Sequence, residues 1–397
     1  MKTKASLTVI FITVFIDLLG FGLLIPILPT FASKELGISD VNIGIIIASF
    51  SFMQFLFNPI IGSYSDKIGR KPIIMGTLLI TAASYIIFSF ATSFWILLFS
   101  RMLAGFGGSN IAAAQAYIAD VTSHKDRSKG MGLIGAAFGL GFVFGPMIGG
   151  ILSQYGYEIV GYAAAGFSFL AFIFASVFLK ESLVHKSYEK KSFVNVFTRK
   201  AYQPILNSKK LSFYVLIYFV IIFSMANIYG TFALLGYKVY SFSDKDIGYI
   251  YTIIGIIGAI IQAGFLKQLS KRIGDNKLVV TGIFFMMLGL AGLPYGVNFM
   301  GVVLVAIILS IGSAILQPTM LSLISREIDE KKQGSVLGLN QSLASLARVL
   351  GPLWGGIAFD YLGYEFPFIT GGIFTFGALV YAIHFLGNHK RKTKKNT

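Results

Sequence analysis

Apolar residues run along this chain in blocks too long for a soluble core, and polar residues are confined to the joints between them. Twelve blocks stand out, at 6–32, 41–63, 73–92, 94–119, 129–152, 160–179, 211–236, 245–266, 278–296, 299–324, 335–357 and 365–387. A run of about 20 residues covers the roughly 30 Å hydrocarbon core of a bilayer at about 1.5 Å per residue. No water is available there to satisfy backbone groups, so each block is expected to be helical. The pattern predicts an all-α membrane protein with twelve transmembrane helices. Lys2 and Lys4 precede the first block as in a signal peptide, but the block is too long and carries Asp17 at its middle, so an uncleaved first helix is expected.

Composition supports this. The chain is 55% hydrophobic with a mean hydropathy of +0.76, and only 13% of its residues are charged, against about 25% in soluble domains. Its partner surface is therefore a lipid bilayer. The net charge of +16 invites a nucleic-acid reading, which its distribution removes. With the N-terminus in the cytoplasm, all but five of the 33 Lys and Arg fall in cytoplasmic segments. Lys34, Lys238 and Lys245 lie outside, and Arg101 and Arg348 lie within helices. This positive-inside bias orients the chain in a cell membrane with both termini cytoplasmic. There is no Cys, which excludes disulfides and thiolate metal sites.

The longest polar stretch, 180–210, is basic and separates the blocks six and six. It reads as a cytoplasmic linker, with a short interfacial helix possible at Phe193–Phe197, between bundles at 1–179 and 211–387; a basic tail follows at 388–397. The halves repeat at an offset of about 205 residues. Ser39-Asp40 matches Ser243-Asp244, Ile68-Gly69 matches Ile273-Gly274, and Gly108-Ser109 matches Gly312-Ser313. Gly145-Pro146-x-x-Gly149-Gly150 matches Gly351-Pro352-x-x-Gly355-Gly356. One register for all four implies duplication. Parallel six-helix repeats are an arrangement of secondary transporters, with the site expected between the halves near the midplane.

Between the second and third blocks lies Gly62-Ser-Tyr-Ser-Asp66-Lys-Ile-Gly69-Arg70-Lys71, read as a short loop. Asp66 can face a helix N-terminus and Arg70 can pair with Asp120, at the end of the fourth block. The charges either latch this side of the protein or only mark loop topology. The corresponding stretch of the second half, Ser270–Lys277, puts Lys271 in the Asp66 position, so the two joints are expected to differ chemically. In the fifth block, Gly141, Gly145 and Gly149 form a stripe at a spacing of four, followed by Gly150. Taken alone, that stripe means close helix packing, with Pro146 bending the helix.

The first of these runs resembles the G-x-x-x-D-x-x-G-R-K signature of the major facilitator superfamily, and the second resembles its antiporter signature. Together with Asp17-Leu-Leu-Gly20-Phe-Gly22, Pro26, Pro29, Met53-Gln54 and Arg101-x-x-x-Gly105, the chain is most similar to the twelve-helix drug:proton antiporters, near the tetracycline-exporter branch. The resemblance covers about residues 7–387 and implies exchange without a bound cofactor, driven by a proton gradient. One departure stands out: the His and Asp important in the tetracycline branch correspond here to Gly258 and Met286, so the resemblance does not carry tetracycline over as the substrate.

Three ionisable side chains lie well inside the blocks, Asp17, Arg101 and Arg348. Each costs about 2.5–3.5 kcal/mol on the insertion scale and so needs a reason. Asp17 and Arg101 lie at similar depth, so a pair between them is sterically allowed, and Asp17 has either a proton-carrying or substrate-coupled role or a place in a static structural pair. Arg348 either bonds carbonyls freed near Pro352 or holds an anionic substrate group. Gln54, Asn110, Gln262, Gln317, Asn340 and Gln341 are further candidates for lining a substrate cavity.

No enzyme is expected. His124, His185, His384 and His389 have no ligand spacing, no metal site is indicated, and no phosphate-cradling loop is present. Missing rings of like charge argue against a channel. The expected function is proton-coupled export of amphipathic drug-like or metabolite molecules by a monomer. Uptake or facilitated diffusion of a sugar or organic acid, and a non-transporting receptor, are the alternatives.

Overall fold

The structure is a computed structural model that describes residues 2–122, 127–183, 203, 205–328 and 333–395. His124, His185 and most of the linker, including 193–197, lie outside these residues. Among the described residues, twelve helices are long and apolar enough to cross a membrane. They are α1 Ser6–Lys34, α2 Asp40–Ile68, α3 Arg70–Ser89, α4 Phe94–Val121, α5 Gly130–Tyr155, α6 Tyr157–Phe178, α7 Lys209–Lys238, α8 Asp244–Ile273, α9 Asp275–Tyr295, α10 Phe299–Arg326, α11 Leu339–Leu362 and α12 Phe366–Gly387.

The expected loop at 62–71 is corrected. Helix α2 runs on to Ile68 and α3 starts at Arg70, leaving Gly69 alone between them. Apolarity marks where a span leaves the hydrocarbon, but polar residues continue a helix well beyond that point. What stops α2 is backbone: Gly69 sits at φ +126, which L side chains rarely adopt. Helix α8 likewise continues to Ile273 and ends at Gly274, φ +80. Two helices are interrupted. A turn at Gly108–Ser109 breaks α4, and a π-turn spans Ile261–Phe265 in α8.

The chain divides into two compact units, Met1–Val194 with Gly236–Thr252, and Asn195–Leu235 with Ile253–Thr397. In the first unit α1 packs along α5 and α6, and α3 lies against α4 and α6. Its apolar core includes Ile10, Val14, Leu78, Ala113, Tyr117, Ala137, Ala171 and Ala175. The Gly236–Thr252 segment is tied in by polar bonds. Lys238 pairs with Asp40 at 2.6 Å, the Thr30 hydroxyl donates to Asp244 at 2.5 Å, and the Thr252 hydroxyl donates to the Val143 carbonyl at 3.0 Å. In the second unit α9 packs against α10 and α12, with Met286 and Leu290 fully buried. Outward-facing rings such as Trp95, 73% exposed, and Phe376, 56% exposed, suit lipid rather than water.

Candidate functional site

Three helices converge on Asp17. Its Oδ2 accepts from the Asn110 amide at 2.8 Å and its Oδ1 from the Ser168 hydroxyl at 2.7 Å, all three residues being buried. Local sequence builds each arm. Gly20 lets α6 approach α1, since a Cβ there would lie 2.8 Å from the Ala164 carbonyl oxygen. Asn110 opens the second segment of α4, just past the turn at Gly108–Ser109. Gly105 and Gly107 let α4 close onto α2 and α3, against Phe50 and Thr81. Gln54 is turned to this turn as well, its amide donating to the Gly108 carbonyl at 3.2 Å. The other acids within the spans lie in their first or last turns, so Asp17 is the one at depth.

The Asp17–Arg101 pair that similar depth allows is not formed. Among the described residues no ion pair joins Arg101 to a carboxylate. Its guanidinium lies over the Tyr85 ring at 5.5 Å and the Phe88 ring at 5.9 Å, with Nε and Nη2 buried and unpartnered. The depths agree, but the helix faces do not: Arg101 is turned to α3, while α4 presents Asn110 to the carboxylate one segment further on. Tyr85 reaches both Gly20 and Arg101. Sequence reasoning missed Ser168, whose role depends on a contact across 151 positions.

At the α2–α3 joint, Arg70 is the hub. Its Nη2 pairs with Asp66 at 2.5 Å and its Nε with Asp120 at 3.0 Å, while Nη1 donates to the Ser65 hydroxyl at 2.5 Å. Asp66 does not cap α3. Glu181 does, accepting from the Arg70 and Lys71 backbone N–H groups at 2.9 and 3.1 Å. Lys71 reaches the Ser176 carbonyl at 2.8 Å. A Cβ on Gly69 would collide with the Glu181 carboxylate, whereas one on Gly62 would meet nothing closer than 3.9 Å, so Gly62 provides no close approach.

The α5 stripe faces α1. A Cβ on Gly145 would lie 2.6 Å from Gly22 Cα, one on Gly141 would lie 3.0 Å from Leu18, and Gly149 sits on Leu23. Gly150 sits 2.7 Å, on the same measure, from the Asp244 carbonyl oxygen, and Pro146 faces Gly248. The second unit repeats this packing: Gly351 and Gly355 on α11 rest on Ala226 and Asn227 of α7. Of the remaining candidates, Gln262 and Gln341 are exposed, Gln317 is half-buried, and Asn340 is buried with its Oδ1 unpartnered. Arg348 is half-buried, and its Nη2 donates to the Ser345 hydroxyl at 3.0 Å rather than to carbonyls near Pro352. Gly258 faces Ser310 loosely, and Met286 is buried beneath Gly312, so neither position offers polar chemistry.

This architecture has relatives. The family model of the Major Facilitator Superfamily matches residues 10–352 and 299–397. Multidrug resistance protein 2 of Bacillus subtilis (strain 168) is 31% identical over 384 residues, covering 94% of this chain and 92% of that protein. The class H tetracycline resistance protein of Pasteurella multocida is 29% identical over 402 residues, covering 98% and 97%. The solved human organic anion transporter MFSD10 shares the fold at a TM-score of 0.72 and 24% identity, covering 96% of this chain and all of that one. The chain belongs to the Major Facilitator Superfamily, as a multi-pass membrane transporter and not an enzyme.

Proposed function

We propose that the chain is a proton-coupled antiporter exporting amphipathic drug-like or metabolite molecules by alternating access. It works as a monomer in the cell membrane with both termini cytoplasmic. The names of its multidrug and tetracycline resistance relatives support export. The environment of Asp17 carries the proton coupling. Its partners are a neutral amide and a neutral hydroxyl, so gaining or losing a proton breaks no ion pair. Ser168 can donate to the carboxylate or accept from the acid, and the unpartnered Oδ1 of Asn110 becomes an acceptor for the acid once the amide turns. The Arg70 cluster serves as a latch on the cytoplasmic side.

One charge carried through the membrane field is worth about 2.3 kcal/mol per 100 mV. Asp17→Asn holds the site permanently neutral. Purified and placed in liposomes, this variant should lose accumulation driven by a pH gradient while keeping counterflow exchange, which needs no net proton movement. Wild-type accumulation would show that Asp17 is structural. Orientation is checked separately: cysteines at Ser39 and Ser243 should react only from outside, and one at Lys190 only from the cytoplasm.

A further inference from the structure

The second unit carries a cation that proton coupling does not use. On α11, Gln341, Ser345 and Arg348 follow one another at spacings of four and three, on one helix face. Ser345 is buried; its hydroxyl donates to the Gln341 carbonyl at 3.0 Å and accepts from Arg348 Nη2 at 3.0 Å. That bond anchors one arm of the guanidinium and, among the described residues, is its one hydrogen bond. Tyr229 and Tyr218, both on α7, are the titratable groups that act electrostatically on it, and among the described residues no carboxylate pairs with it. Tyr218 is buried and Tyr229 half-buried.

A guanidinium has five N–H donors in a planar fork that matches a carboxylate bidentately. Among the described residues most of the fork is unused and no acid pairs with it, while two tyrosines of α7 are near enough to act on its charge. A group built this way inside a membrane span is half of an ion pair. We propose that Arg348, with Tyr218 and Tyr229, is an anion-binding subsite, and that the transported molecule carries a carboxylate or a comparable oxyanion seated there. The assignment rests on the export reading and adds a substrate class to it.

The test compares acids with their own esters. Binding of 1-naphthoate, pyrene-1-butyrate and norfloxacin, each against its methyl ester, is measured on the full-length protein in non-ionic detergent. Wild type should prefer at least one acid about tenfold or more, the size of one charge-assisted hydrogen bond. Arg348→Gln should abolish the preference while ester binding stays within about twofold, and Arg348→Lys should retain part of it. If Arg348→Gln does not stay monodisperse, the Tyr218→Phe/Tyr229→Phe double variant serves, with an expected loss of preference of about three- to tenfold. Equal binding of acids and esters by wild type, or an undiminished preference in Arg348→Gln, would overturn the subsite. Phosphatidylglycerol in the same detergent separates solute from lipid: tighter competition by it than by the aromatic acids would overturn the substrate assignment. Proton-driven uptake of the neutral esters into inverted liposomes reads the export mechanism separately, so failure there leaves an acid preference standing, and the reverse.

Discussion

The joints α2–α3 and α8–α9 occupy matching places in the two halves of the sequence and carry the same ion pair with its signs exchanged. In the first unit the cation opens the second helix of the joint, Arg70 on α3, and pairs with Asp120 at the end of α4. In the second unit the anion opens it: Asp275 on α9 pairs at 2.7 Å with Arg326 at the end of α10. Each pair has a serine beside it, Ser65 donated to by Arg70 and Ser270 donating to Asp275 at 2.5 Å. Burial separates them. The Arg70 side chain is 7% exposed and has two carboxylates, whereas Arg326 is 64% exposed and has one. The bridge recurs at both joints, and the surroundings decide what each bridge is worth. A buried charge pair costs about 3–5 kcal/mol when one partner is removed, while exposed pairs contribute about 0–1 kcal/mol.

The largest effect should follow Arg70→Gln. It leaves Asp66 and Asp120, 30% and 24% exposed, facing each other without their cation. Transport in proteoliposomes should fall by more than about tenfold and the melting temperature in detergent should drop clearly, as expected for about 3–5 kcal/mol. Asp66→Asn removes one of two carboxylates and should lower turnover while leaving expression and substrate affinity near wild type. If Arg70→Gln and Arg326→Gln behaved alike, the difference in burial would explain nothing.

The two hinge glycines sharpen the contrast. Gly69 and Gly274 both have positive φ, yet a Cβ on Gly69 meets the Glu181 carboxylate, while one on Gly274 meets nothing within 4 Å. Gly274→Asn should cost only the backbone strain, about 1–3 kcal/mol, because φ +80 with ψ 149 is a conformation that residues other than glycine rarely adopt. Gly69→Asn adds a collision and displaces the acid that caps α3, so its loss of thermal stability should be at least twice as large. Equal losses would show that Glu181 moves freely and is not part of the clamp.

Sequence periodicity made the twelve spans legible because lipid demands unbroken apolar helices, and the predicted ends fall within about five residues of the observed ones everywhere but the end of α8. It failed at residues 62–71, where apolarity ends before the helix does and the terminator is a φ angle at Gly69. Within the site, the Arg70–Asp120 pair was readable because both charges sit at span ends, where few partners are within reach. The Asp17–Arg101 pair was not. Depth along a helix follows from residue counting, but the face toward which Arg101 turns is set by how α3 and α4 pack, with Tyr85 and Phe88 beneath the guanidinium. Ser168 and Glu181 gave no local signal, since each acts across more than a hundred positions.

The smallest effect belongs to the exposed bridge, and salt is the means of seeing it. Arg326 is mostly in solvent, and a mutation cycle with Asp275→Asn and Arg326→Gln should give a coupling of about 0.5 kcal/mol or less at low ionic strength. The Debye length shrinks from about 10 Å at 0.1 M to about 3 Å at 1 M, so that coupling should fade as salt is added. The same cycle on Arg70 and Asp120 should hold most of its value, because the guanidinium is enclosed. Exchanging the signs in the second unit, Asp275→Arg with Arg326→Asp, should leave turnover within about twofold if one exposed pair is all that is reversed. Doing so in the first unit cannot be neutral. Arg70→Asp with Asp120→Arg moves the cation to α4 but sets a new carboxylate beside Asp66, which stays where it is. A salt-insensitive coupling at Asp275–Arg326, or a tolerated exchange at Arg70–Asp120, would mean that the two joints are equivalent after all and that burial does not distinguish them.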